Sequence, residues 1–169
     1  QTSRGLGDVY KRQVQDALDN PRRDTARVVL PPASFVHERE KYEKRLPAAI
    51  EYIVGNGLNE FFGPDDKPIG IVLQGGMYNG MIRALQRLGL ADVYGESAIP
   101  LYVLNVTYPL VQDQFLDFCR TKDHVLILEE GQPDFIEEAL RAMLHRAGCS
   151  ITVSGKDILP MAGEYTGAV

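Results

Sequence analysis

The sequence predicts a small α/β domain, doubly wound around a mainly parallel sheet with flanking helices and preceded by a helical linker. Three short runs, Ile69 to Leu73, Leu101 to Leu104 and Val125 to Leu128, are nearly continuous in Ile, Leu and Val rather than alternating. Strands covered on both faces read this way. Each run is followed by a turn and then by a stretch of good helix formers at helical spacing: Met77 to Leu88, Gln112 to Arg120 and Asp134 to Ala147. Strand and helix alternating three times implies right-handed crossovers within one parallel sheet. A fourth run, Ser150 to Val153, adds a terminal strand.

Residues 1–13, QTSRGLGDVYKRQ, differ from the rest and resemble a translated sequencing adaptor, so an artefact or disordered tail outside the fold is expected. Residues 14–67 read as linker and amphipathic helical segment, and 68–166 as the α/β domain. The linker is broken by Pro21, Pro31 and Pro32. From Phe35 to about Val54, the apolar residues Val36, Tyr42, Leu46, Ala49, Ile50 and Ile53 recur every three or four positions, which predicts an amphipathic helix. Pro47 lies inside it and predicts a kink or split, and Gly55, Asn56 and Gly57 predict its stop.

Composition excludes several function classes. With 169 residues, 44% of them hydrophobic and 24% charged, the chain suits one core. A net charge of -5 gives no clustered cationic surface for nucleic acid. No apolar run approaches the roughly 20 residues that span a bilayer, and no signal pattern is visible, so a cytoplasmic protein without a membrane partner is expected. Cys119 and Cys149 form no C-x-x-C pair, which argues against a disulfide framework or zinc site. Nor can two thiols hold an iron–sulfur cluster, which usually takes about four. His37, His124 and His145 stand apart from any metal-ligand spacing, so no metal is expected here.

In an open parallel sheet, ligands and partners gather at the carboxyl ends of the strands. Those ends are Gln74-Gly75-Gly76, Asn105 to Pro109, and Glu129 to Pro133. Two glycines allow a tight turn and close approach of a ligand to helix-terminal amides, yet G-G-M-Y-N-G is neither a dinucleotide fingerprint nor a P-loop. A structural turn is the favoured reading. Asn105, Thr107 and Tyr108 form a polar loop able to orient a partner, while Pro109 alternatively shapes the entry to the next helix. Glu129 and Glu130 are neighbours on a strand and point to opposite faces, so they cannot share one substrate atom. Contacts with helix N-termini or a subunit surface suit them better. With no nucleophile elbow or catalytic cysteine signature, no catalytic residue is assigned.

The stretches GIVLQGGMYNGMIRALQRLGL, PLYVLNVTYPLV, HVLILEEGQPDFIEEALRAML and GKDILPMAGEYT, in this order, resemble the large subunit of indolepyruvate ferredoxin oxidoreductases. The likeness is close over Ile69 to Thr166 and looser over Leu30 to Ala49. It implies an enzyme that decarboxylates an aryl 2-oxoacid on thiamine diphosphate and magnesium, transfers the acyl group to coenzyme A and passes electrons through 4Fe-4S clusters to ferredoxin. Within it, this chain corresponds to the transketolase C-terminal-like domain. The resemblance implies that no cofactor is bound by this stretch alone, because the G-D-G…N diphosphate motif and the clustered cysteines are missing from it. Its implied partners are the remaining domains of the same subunit, a smaller beta subunit and ferredoxin, with indolepyruvate and coenzyme A as substrates. The residues expected at an interface or active-site wall are Gln74, Gly75, Gly76, Asn105, Thr107, Tyr108, Pro109, Glu129, Glu130 and Gln132. Two other readings stay open: a free-standing flavodoxin-like ligand-binding module, and the same chemistry on another 2-oxoacid.

Overall fold

In the computed structural model, residues 6–20, 30–131 and 133–166 are described, with only the backbone path given for 6–10. The chain forms two compact units, Gln1–Arg45 and Leu46–Val169. The first holds helix α1 (Leu6–Asp19), helix α2 (Ala33–Glu40) and a π-helical turn, Lys41–Arg45. Helix α1 covers most of the stretch expected to be a tail and the start of the linker. Its side chains from Lys11 to Asp19 are exposed, and Gln15 Nε2 donates to Asp19 Oδ1 one turn on at 2.8 Å.

The amphipathic helix expected from Phe35 to about Val54, with a kink or split at Pro47, is interrupted just before that proline. Its first part is α2 and the π turn, and its second is α3 (Leu46–Gly55) at the start of the other unit. Pro47 explains the position of the break. Lacking an N–H and crowding the carbonyl four residues back, it is tolerated in the first turn of a helix, so the disturbance falls in the preceding wide turn. Of the anticipated apolar stripe, Ile53 is buried while Val36 and Tyr42 are exposed. Helix α3 stops where the glycines predict. Gly57 takes a positive φ of 58°, its N–H reaches Val54 O at 3.1 Å, and Leu58 N–H reaches Ile53 O at 3.0 Å.

The second unit continues through β1 (Glu60–Phe62), β2 (Ile69–Gln74), a 3-10 turn (Gly75–Met77), α4 (Tyr78–Arg87) and β3 (Leu101–Leu104). It ends with α5 (Gln112–Cys119), β4 (His124–Leu128), α6 (Phe135–Arg146) and β5 (Thr152–Ser154). The sheet order is β1-β3-β2-β4-β5. All pairs are parallel except β1 with β3, where Phe61 stands opposite Tyr102. Strand β1 was not expected, because three residues are too few to show a period. The terminal strand lies at Thr152–Ser154, slightly beyond its expected place.

Strand alternation sends side chains to two cores, which is what a doubly wound fold requires. On one face Val72, Tyr102 and Ile127 pack with Phe115 and Phe118 of α5 and Leu140 and Leu144 of α6. On the other, Ile71, Leu73, Val103 and Leu128 meet Ile82 and Leu85 of α4. Gly70 is needed for the first packing, since a Cβ there would lie 2.7 Å from Phe118 Cζ. At the sheet edge the Phe61 ring stacks on Tyr102, with centroids 4.6 Å apart.

Two buried groups in the first core resist ionisation. Burial pushes the Tyr102 hydroxyl from its usual 10.0 up to about 12, against the opposing hydrogen bond from Asn59. Burial likewise raises the Cys119 thiol from 9.0 to about 12, with Cys149 adding to the effect and Lys122 opposing it. A raised pKa means that the folded chain holds the proton more tightly. The associated stability is complete below the unfolded values and is lost as pH rises toward the folded ones. The urea midpoint is therefore expected to fall between about pH 9 and about pH 12, and Tyr102→Phe should reduce that fall. An equal fall in the variant would clear Tyr102 of the effect. Truncating the core by Leu140→Ala, at 1% exposure, should cost about 2–5 kcal/mol in the same measurement.

Candidate functional site

The chain passes from β2 outward to β3 and then returns to β4 on the other side of β2, with α4 on one face and α5 and α6 on the other. The crevice at the carboxyl ends of β2 and β4 is thus the topological switch point, where such folds seat ligands. Here the chain bridges it. Gln74 Oε1 accepts the N–H of Glu130 at 3.0 Å, across 56 residues of sequence.

The other candidates are tied in a similar way. A Cβ on Gly75 would collide with Asn105 Oδ1, so this glycine admits the Asn105 side chain. The space over the turn is filled by the protein itself. Asn105 Nδ2 donates to Leu58 O at 2.9 Å and to Glu60 Oε2 at 2.7 Å, which fastens the approach to β1 onto the end of β3. Around Gly76 a Cβ would meet nothing within 4 Å. Thr107 and Tyr108 are exposed, Tyr108 by 68%, and the Tyr108–Pro109 peptide is cis. Pro109 lies three residues before α5 begins at Gln112, outside its first turn. Gln132 is outside the described residues.

Glu129 and Glu130 lie just beyond the end of β4 at Leu128 rather than within the strand, and their carboxylates reach different partners. Glu129 is 6% exposed, and its carboxylate accepts the N–H of Ile136 at 2.9 Å and of Glu137 at 3.0 Å. It caps the N-terminus of α6, where unpaired amides and the helix dipole favour a negative charge. Exposed Glu130 turns the other way and accepts the Tyr165 N–H at 2.7 Å.

Sequence reasoning missed the groups that complete this arrangement. Buried Glu137 accepts from Arg141 Nε at 2.8 Å and from the Lys156 N–H at 2.8 Å. Lys156 Nζ in turn donates to Gly131 O at 2.6 Å and Tyr165 Oη at 3.0 Å. Beside β3, buried Asn59 donates to Tyr102 Oη at 3.3 Å and to Gln114 Oε1 at 3.1 Å, and accepts the Val106 N–H at 3.1 Å. Only the acidic pair Glu137 and Glu138 in the first turn of α6 left a readable trace, as the charge a helix start prefers. The remaining partners are far apart in sequence.

In the second unit, cavities among the described residues lie elsewhere. One, of about 420 Å³, opens beside Phe61, Asp65, Gln114 and Phe118. Another, of about 380 Å³, is apolar and lies between α4, the sheet and the chain after β5. Neither is lined by Gln74, Asn105, Tyr108 or Glu129. Among the described residues no group of three or more His, Cys, Asp or Glu side chains is placed to hold a metal ion. Cys119 is buried and Cys149 exposed, so the thiols do not assemble a ligand set either. The described residues therefore offer no four-thiolate set for an iron–sulfur cluster, and no reaction step is assigned to them. No helix among the described residues is long and apolar enough to cross a membrane.

Against known proteins, residues 59–163 match the family described as the indolepyruvate oxidoreductase domain. The chain is similar to the indolepyruvate oxidoreductase subunit IorA of Thermococcus kodakarensis, 26% identical over 98% of this chain and 26% of that one. It is also similar to the subunit of the same name from Methanothermobacter thermautotrophicus, 29% identical over 96% of this chain and 25% of that one. The chain thus spans about a quarter of the length of these curated relatives. Among solved structures it resembles the 2-oxoglutarate:ferredoxin oxidoreductase from Magnetococcus marinus, with a TM-score of 0.50 and 16% identity over 79% of this chain and 21% of that one. At that identity the likeness is one of fold. Because the family match takes in β1 through β5 and every candidate residue at the strand ends, the chain belongs to the indolepyruvate oxidoreductase domain family.

Proposed function

We propose that this chain is an internal part of the large, thiamine diphosphate-dependent subunit of an indolepyruvate ferredoxin oxidoreductase, and serves there as a scaffold and interface domain. The parent enzyme would convert an aryl 2-oxoacid and coenzyme A to an acyl-CoA and carbon dioxide, passing two electrons to ferredoxin. In this reading the other domains of the subunit supply the thiamine diphosphate, magnesium and 4Fe-4S sites. A smaller beta subunit and ferredoxin are its partners, and the setting is cytoplasmic.

One observation supports the scaffold role above the rest. The strand-end groups that would hold a ligand in a free-standing binding module are engaged within the chain: Gln74 with Glu130, Asn105 with Leu58 and Glu60, Glu129 with α6. Gly76, Asn105, Thr107, Tyr108 and Glu130 stay exposed on this braced base, and of these Tyr108 carries the aromatic ring. A rigid aromatic there suits contact with a neighbouring domain or the wall of the active-site approach.

The test uses the complete subunit with its partner and the 169-residue chain in parallel, measuring indolepyruvate- and coenzyme A-dependent reduction of ferredoxin. The chain alone is expected to be inactive. Tyr108→Ala in the complete enzyme is expected to lower turnover or assembly by about tenfold, while leaving the urea midpoint of the isolated chain unchanged. Turnover by the isolated chain would overturn the scaffold reading, and full activity and assembly of the variant would remove Tyr108 from the interface. Exchanging indolepyruvate for 2-oxoglutarate in this assay decides the substrate.

A further inference from the structure

After β5 the chain makes one turn, in which the N–H groups of Ile158 and Leu159 return to Gly155 O at 3.1 and 2.9 Å. It then runs without helix or strand to Thr166. This segment crosses the α4 face of the sheet. Leu159, Tyr165 and Thr166 line the 380 Å³ apolar cavity together with Met81, Leu85 and Leu128. Gly80 of α4 lies below the crossing, where a Cβ would come 3.8 Å from Tyr165 O.

The attachment of Tyr165 is polar, although its surroundings are apolar. Its N–H donates to Glu130 Oε1 at 2.7 Å, and its hydroxyl accepts from Lys156 Nζ at 3.0 Å and donates to Pro160 O. Lys156 Nζ also donates to Gly131 O at 2.6 Å and sits 5.0 Å from the centre of the Tyr165 ring. Both fixed points, Glu130 and Gly131, belong to the loop at the carboxyl end of β4. Apolar side chains in and beside the segment still reach solvent, with Ile158 66% and Met161 52% exposed. A stretch with no ladder, few buried apolar groups and partly solvated anchors opens at lower free energy than the strands beneath it.

We propose that Leu159–Thr166 is a strap, latched through Tyr165 by Glu130 and Lys156, which closes the α4 face and opens as a unit without unfolding the sheet. Opening uncovers the apolar cavity. A donor from outside that takes the Glu130 carboxylate or the Gly131 carbonyl competes with Tyr165 and Lys156 for the same oxygens. Engagement of the β4–α6 loop and exposure of the α4 face are therefore linked, each favouring the other.

The experiment compares the 169-residue chain with its Lys156→Met and Glu130→Ala variants by amide hydrogen exchange and by fluorescence of the apolar dye ANS. Loss of charge-assisted hydrogen bonds should speed exchange at Tyr165 by about tenfold and raise dye binding, with exchange at Val72 and Ile127 unchanged. Tyr165→Phe keeps the ring in the cavity and loses the hydroxyl, so it separates the latch from packing and should open the strap as well. Unchanged Tyr165 exchange and dye binding in these variants would overturn the latch. Exchange at Val72 and Ile127 that accelerates in step with Tyr165 would overturn the strap, because the segment would then belong to the cooperative core.

Discussion

A carboxylate taken out of water must be met by donors, because an unpaired buried charge is far too costly for a small domain to carry. Glu129 meets this condition just beyond the end of the parallel strand β4, receiving amides from the first turn of α6. Two demands are satisfied together, since those amides have no partners within the helix. The arrangement fixes the angle at which α6 leaves the sheet and brings Glu137 inward, where it is 5% exposed. Glu137 then needs donors of its own and finds them in Arg141 and in the backbone after β5. Gly155 is part of the same solution, for a Cβ there would collide with the Glu137 carboxylate. Lys156, placed by that contact, reaches back to Gly131, two residues after Glu129. The polar contacts form a closed circuit that starts and ends at one strand terminus.

That circuit determines what the carboxyl end of the sheet can do. A doubly wound domain that binds a cofactor leaves amides and side-chain donors unused at its switch point, so that the ligand can satisfy them. In this chain the Gln74 carbonyl oxygen and the Asn105 amide group are committed to Glu130 and to the approach to β1. The result is a braced end with exposed polar and aromatic tips, a form suited to bearing on another surface.

The three central strands were legible because each is covered on both faces and so is apolar without interruption, as in LYVL, whose four residues are all buried. Helices α4 to α6 were legible from their spacing, since each packs one face against the sheet. Strand β1 was hidden by its brevity: Glu60–Phe62 shows no period and owes its place to pairing with β3 and to the Phe61–Tyr102 stack. Pro47 announced a disturbance but not its form, because a π turn is a response to the helix on either side. Glu129 and Glu130 were read as strand neighbours, but β4 ends at Leu128, so no alternation rule could say which carboxylate would be buried. The circuit was illegible for a different reason. Glu137 meets Lys156 across 19 positions and Lys156 meets Gly131 across 25, and no local pattern records such pairs.

The two faces of the sheet are closed by unlike means. Helices α5 and α6 cover one with Phe115, Phe118, Leu140 and Leu144, and two packed helices leave little freedom to rearrange. On the other face, among the described residues, α4 is the α-helix that joins the core, and Leu159 and Tyr165 complete the cover from an irregular segment. A second helix in that position would bury the face by its own apolar stripe and hold it at all times. An irregular segment has no internal hydrogen-bond ladder, so its position depends on side-chain anchors from the rest of the domain. Those anchors come from Glu130 and Lys156, at the same strand end that Glu129 organises. The fold thereby makes the closure of one face answer to the β4–α6 loop, which a uniformly helical cover could not do.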